Sequence, residues 1–306
     1  MRESFTIPSN GIGQLHCCRW MPEGEPKAVL QIVHGIAEYI ERYDDFAGFL
    51  NGLGYVVVAE DHMGHGQTVG AEGTQGYFEG GWFTAVSDSY ALLRKTKAEY
   101  PQIPYVLFGH SMGSFLTRTY LIRYPGTVKA AVIMGTGWQP RAILPGAIGI
   151  CQLACKKVGE KNTSATLQNM VFGGYNKRVE HPRTEFDWLT RDAKVVDAYI
   201  AHPSCGFTAT KGLLRDLLTG IRFIEQKQNL AKMNKDLPVL FIAGGDDPVG
   251  NYGKGVTRAA EEFRKAGMKH VACRLFPLGR HEILNEINRR EVYDFTAKWL
   301  GEQLGR

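Results

Sequence analysis

The sequence predicts an α/β fold: a mainly parallel sheet with helices on both faces and a helical cap inserted between the fourth and fifth parallel strands. Three observations predict it. Apolar runs such as "KAVLQIVHG" (27–35) and "YVVVAEDHMGHG" (55–66) are continuous rather than alternating, as strands buried on both faces are. Segments of helical periodicity alternate with these runs, which requires crossover helices and hence parallel strands. From about 138 to about 226 the alternation gives way to helical pattern with no buried strand.

The elements follow in order. "ESFTIPS", the turn "NGIG" and "QLHCCRWMP" read as an opening hairpin. The first buried strand is 27–35, and a helix over 40–54 with a glycine stop follows it. The second strand, 55–66, runs into a Gly-rich loop. Phe83, Val86, Tyr90 and Leu93 put one apolar face on a helix over 82–99. "YVLFGHS" is the third strand, with a helix over 112–124 behind it; 128–137 is the fourth and 237–247 the fifth. A helix over 253–266, a strand over 270–277 and a closing helix over 284–300 complete the core. The core is therefore 1–137 with 227–306, and 138–226 is a helical cap over the carboxyl edge of the sheet. Its segment 142–155 is apolar around most of its circumference and is expected to be buried between cap and core, with a few residues lining a pocket.

Composition narrows the function. The chain has 306 residues, 44% hydrophobic and 22% charged, with a net charge of +5. It has no Lys/Arg block and no interleaving of aromatic and basic residues, so nucleic acid is not an expected partner. "MRESFTIPSNGIGQ" lacks an apolar stretch behind a basic start, and no apolar run reaches the roughly 20 residues of a membrane span. A cytoplasmic protein is expected. Cys17, Cys18, Cys151, Cys155, Cys205 and Cys273 are scattered without the spacing of a disulfide framework and read as buried free thiols.

One motif carries chemistry. Gly109-His110-Ser111-Met112-Gly113 fits G-x-S-x-G, with a strand before it and a helix after it. Such a turn exposes the serine, and its glycines permit the close strand–helix approach. A serine needs a base, and the base an orienting acid. "AGGDDPVG" ends the fifth strand and "LGRHEILNE" follows the last one, in the order Ser, Asp, His. Three residues beyond Gly244 stands Asp247; its neighbour Asp246 would cap or stabilise the turn. His281, in a loop before the final helix, is the histidine placed to reach Ser111. His62 and His65 are expected to pin their own loop, and His110 to point away from Ser111. Two backbone N–H groups are expected to stabilise an oxyanion: Met112, at a helix start, and Ile36, aimed inward by a turn at Gly35.

Five segments carry a family resemblance: "HGIAEYIERY" (34–43), "DHMGHGQT" (61–68), "GHSMGS" (109–114), "AGGDDPVG" (243–250) and "GRHEILNE" (279–286). The chain resembles α/β-hydrolases of the monoglyceride lipase and lysophospholipase group from about residue 5 to its end. In the cap, "FDWLTRD" and "YIAHPSCGF" resemble bacterial members. The resemblance implies Ser111, Asp247 and His281 as triad and Ile36 and Met112 as oxyanion donors. It implies a small-molecule acyl ester of monoacylglycerol or lysophospholipid type as substrate; the alternatives are a short-chain esterase, an acyltransferase or an amidase or peptidase on the same triad, or a non-catalytic binding protein of this fold. The triad chemistry needs no cofactor and no metal. A transient contact of the cap with a membrane surface is compatible with Lys156 and Lys157. Tyr39 stands where the group often has His, and Met63 where it often has Arg. The first change lies beside the oxyanion loop and bears on the headgroup rather than on ester hydrolysis.

Overall fold

The computed structural model describes residues 1–69 and 73–305. The chain runs β1 (Arg2–Pro8), β2 (Gln14–Trp20), β3 (Ala28–Val33), α1 (Asp44–Asn51), β4 (Tyr55–Glu60), α2 (Trp82–Glu99), β5 (Tyr105–His110), α3 (Met112–Arg123) and β6 (Ala130–Met134). Then come α4 (Leu144–Val158), α5 (Ala165–Phe172), α6 (Ala193–Ala201), α7 (Lys211–Ile224), α8 (Lys227–Leu230), β7 (Val239–Gly244), α9 (Lys254–Lys265), β8 (Val271–Phe276) and α10 (Arg289–Gln303).

The strands form one sheet in the order β1-β2-β4-β3-β5-β6-β7-β8. β1 and β2 are an antiparallel hairpin, β2 pairs antiparallel with β4, and β3 to β8 pair in parallel. Every residue of β3, β4, β5, β6 and β7 is buried. Strand alternation divides them between two cores. Leu30, Ile32 and Phe108 pack with Phe46 of α1 and Val292 of α10. Val29, Leu107 and Phe241 pack with Val86 of α2, Leu116 of α3 and Phe263 of α9 on the other face. This is the α/β-hydrolase fold.

Element boundaries differ in places from the sequence pattern. The segment 40–54 begins as a 3₁₀ turn, Ile40–Tyr43, before α1. The closing helix starts at Arg289, because Ile283–Asn285 is a separate 3₁₀ turn. Two apolar clusters of sequence hide different roles in the insert between β6 and β7. α7 is packed into the large core through Leu213, Leu214 and Ile221. α4 is not buried between layers: it buries Leu144, Ile148 and Cys151 and exposes Ile150, Leu153 and Val158. Helical pattern is visible in α4, but a helix apolar around most of its circumference has little polar face to mark which side meets water. No helix among the described residues is long and apolar enough to cross a membrane.

Candidate active site

Ser111 lies between the end of β5 and the start of α3 with φ 52° and ψ −121°. A positive φ is disfavoured for any residue with a Cβ, and such strain costs about 1–3 kcal/mol. The flanking glycines make room for the turn. A Cβ on Gly113 would stand 1.9 Å from the Val33 carbonyl oxygen, and one on Gly109 2.4 Å from that of Gly113. The Ser111 N–H is held by the Met134 carbonyl at 3.0 Å, which ties the turn to β6.

Ser111 Oγ lies 2.8 Å from His281 Nε2, and His281 Nδ1 lies 3.0 Å from Asp247 Oδ1. Asp247 is fully buried, and the Val249 N–H donates to its Oδ1 at 2.9 Å. Asp246 is exposed, and its N–H donates to the Gly279 carbonyl. Burial opposes charge on His281, but the field and hydrogen bond of Asp247 outweigh it and hold its pKa above the ordinary histidine value. The insert also helps to hold this histidine. The N–H groups of His281 and Glu282 donate to the carbonyls of Trp188 and Leu189, at 3.3 and 2.7 Å. The Trp188 ring lies 5.1 Å from the His281 ring.

Ile36 and Met112 line the same cavity as Ser111 and His281. The positive φ of the first loop falls on Ala37 (54°), not on Gly35. Gly35 is needed for space instead: a Cβ there would meet Glu38 Oε1 at 2.6 Å and the Ser111 Cβ at 3.0 Å. Met112 is the first residue of α3, where helical N–H groups lack an intrahelical partner.

Below the loop lies a buried polar network that the sequence pattern did not reveal. Glu38 Oε1 accepts the Gly35 N–H at 2.6 Å and the Tyr43 hydroxyl at 3.0 Å, and lies 2.9 Å from His110 Nδ1. Arg42 donates to Glu38 Oε2 at 2.8 Å and, through both terminal nitrogens, to Glu282 at 2.7 and 2.6 Å. Burial resists ionisation of Glu38, but His110 and Arg42 hold its carboxyl well below the usual range. Burial likewise resists ionisation of Glu282, and Arg42 overcomes it. His110 does turn from Ser111 toward Glu38, yet its ring packs 4.9 Å from that of His281. His34, His62 and His65 form another buried cluster: the rings of His34 and His62 stack with centroids 4.0 Å apart, and His65 meets both edge-on. His62 accordingly meets the loop that begins at His34: its N–H donates to His34 Nε2 at 3.0 Å. The signal for the network was present only as the spacing of Glu38 and Arg42, one turn apart; Glu282 lies 240 residues away.

The cavity over Ser111 measures about 630 Å³, within the range of small-molecule sites. Ile36, Ser111 and His281 line it together with insert residues such as Ala147, Ile150, Leu167, Leu217 and Ile221. No Lys or Arg lines it among the described residues.

Comparison with known proteins agrees with this architecture. The family model for serine aminopeptidase, S33, matches residues 24–288. The chain is 28% identical to mouse (Mus musculus) monoglyceride lipase over 304 residues, covering 95% of this chain and 91% of that one. It is 26% identical to the monoacylglycerol lipase of Mycolicibacterium smegmatis, covering 93% and 92%. Among solved structures it is similar to a thermostable carboxyl esterase from Bacillus coagulans in complex with glycerol, with TM-score 0.92, 27% identity and 99% of each chain covered. A family match over most of the chain, on an α/β-hydrolase fold, means that the protein belongs to the serine aminopeptidase S33 family and is a serine ester hydrolase.

Proposed function

We propose that the chain hydrolyses a monoacylglycerol-like acyl ester through Ser111, His281 and Asp247. The observation that carries the proposal is the 2.8 Å contact of Ser111 Oγ with His281 Nε2 in the wall of a largely apolar cavity. Ser111 Oγ attacks the ester carbonyl as His281 Nε2 takes its proton. Asp247, on Nδ1, orients the ring and stabilises its cationic form. The N–H groups of Ile36 and Met112 receive the oxyanion. The histidine returns the proton to the leaving alcohol. Water then adds to the acyl-enzyme with His281 as base, and the carboxylic acid leaves Ser111. This chemistry uses no cofactor.

The insert, 138–226, acts in this reading as a cap whose apolar wall takes the acyl chain. A neutral headgroup suits the cavity better than a phosphate. Glu38, Glu185 and Glu282 line it, and no lysine or arginine does among the described residues, so an anionic group finds no cationic partner there. A monoacylglycerol therefore fits better than a lysophospholipid. At the surface, Ile143, Leu153, Val158 and Met170 are exposed close in sequence to Lys156 and Lys157, a composition suited to transient contact with a lipid surface. A second reading, a carboxyl esterase acting on short-chain esters, draws on the likeness to the Bacillus coagulans carboxyl esterase.

The test is hydrolysis of p-nitrophenyl esters of increasing chain length beside 1-monoacylglycerol and lysophosphatidylcholine, with Ser111→Ala as control. Preference for medium or long chains with monoacylglycerol turnover supports the first reading. Activity on short esters alone supports the second. Turnover unchanged in Ser111→Ala overturns both.

A further inference from the structure

A cluster of metal-binding side chains lies apart from the cavity over Ser111. Strand alternation sets His16 and Cys18 of β2 on one face of the sheet. Cys18 packs there with Ile40 and Tyr43 of the 3₁₀ turn that also carries Glu41. A ligand atom from each of His16, Cys18 and Glu41 lies within 4.8 Å of the other two. His16 Nε2 stands 3.6 Å from Cys18 Sγ and 3.6 Å from Glu41 Oε1. In a tetrahedral zinc site with bonds of about 2.0–2.3 Å, neighbouring ligand atoms stand roughly 3.4–3.6 Å apart. Two of the three separations therefore match tetrahedral ligands, and the third, between Cys18 and Glu41, is no more than 4.8 Å.

A second observation points the same way. Glu41 Oε1 accepts a hydrogen bond from Gln67 Nε2 at 2.8 Å, but Oε2 is shut off from solvent and has no hydrogen-bond partner among the described residues. A buried carboxylate oxygen left unpaired is costly, and a cation would satisfy it. The side chains of His16 and Glu41 are 11% and 15% exposed, which leaves an entry path. Cys18 is fully buried, and Ser4 Oγ, 3.6 Å from its sulfur, is placed to hydrogen-bond a thiolate.

We propose that His16, Cys18 and Glu41 bind one zinc-class divalent cation, with water completing a tetrahedron. The mixed nitrogen, sulfur and oxygen set selects a borderline-soft ion over calcium or magnesium. The thiol releases its proton on binding, and the resulting thiolate and the Glu41 carboxylate balance the two charges of the ion. The ion ties β2 to the turn whose Arg42 and Tyr43 hold Glu38, so it braces the loop that carries Ile36 from outside the active site.

The test is titration of the metal-free, full-length protein with cobalt(II), followed through the near-ultraviolet thiolate-to-cobalt charge-transfer band, and then displacement by zinc. The expected result is one equivalent of cobalt per chain and a band lost in Cys18→Ser. His16→Gln and Glu41→Gln, at partly exposed positions, serve if Cys18→Ser fails to fold; each should weaken binding at least tenfold. Binding should persist in His281→Ala. A titration without a thiolate band, a band unchanged in Cys18→Ser, affinity unmoved in both His16→Gln and Glu41→Gln, or binding that depends on His281 would overturn the proposal.

Discussion

Arg42→Met should damage stability in a way that depends on pH. The Arg42 side chain is 10% exposed and lies between Glu38 and Glu282, each 4% exposed. Removing one member of a buried charge network leaves the others uncompensated and costs about 3–5 kcal/mol. Both carboxyls are held below their ordinary pKa in the native protein. Their contribution is therefore present above the unfolded value of about 4.3 and is lost as pH falls through the folded value. Without Arg42, burial instead raises the carboxyl least well paired. Folding must then either keep a buried charge or take up a proton, so the deficit of the variant is full at alkaline pH and shrinks as pH falls. Urea unfolding at pH 8 should show the loss of about 3–5 kcal/mol, and the same measurement at pH 5.5 a smaller one. Arg42→Met with Glu282→Gln should recover about half, since the second change removes a stranded charge. Ester hydrolysis should also fall more than tenfold, short of the about 10²–10³ lost when an oxyanion donor is deleted, because Glu38 holds the Gly35 N–H beside Ile36. A loss below about 1 kcal/mol at pH 8, a deficit that grows at pH 5.5, or no relief from Glu282→Gln would refute the reasoning.

Four further outcomes are expected. Hydrolysis (kcat/KM) should rise with pH through an apparent pKa above the ordinary histidine value, because the proposed mechanism uses His281 as a neutral base and its pKa is raised. Asp247→Asn should move that limb to lower pH and cut kcat by about 10⁴, which a pH–rate profile of the variant reads directly. Ala147→Trp, in the cavity wall on α4, should reduce turnover of long-chain p-nitrophenyl esters at least tenfold while sparing the butyrate ester; equal losses on both would remove the insert wall as the acyl site. Leu153→Asp, at a residue 61% exposed and outside the cavity, should weaken sedimentation with anionic lipid vesicles and leave hydrolysis of a soluble short ester unchanged.

The sequence by itself determined what local pattern can encode. The buried strands were legible because a continuous apolar run ending at a strand–loop boundary has few other uses, and β3, β4, β5 and β7 fall inside the expected runs. The helix at 82–99 was legible to the residue from its apolar spacing. Ser111 was legible because the strained turn restricts its neighbours to glycine, and the order of Asp247 and His281 follows from strand ends that the chain announces one after another. Only the tertiary structure decided the rest, because it depends on groups that meet from distant parts of the chain. Nothing near Arg42 in sequence reveals Glu282, 240 residues on, and nothing in "FDWLTRD" reveals that its backbone carbonyls receive the N–H groups of His281 and Glu282. The exposure of α4 was hidden for a related reason: hydrophobicity records that a helix has apolar faces, while packing decides which of them is covered. His16, Cys18 and Glu41 show the same limit, since periodicity places two of them on one strand face and only the fold brings the third across to them.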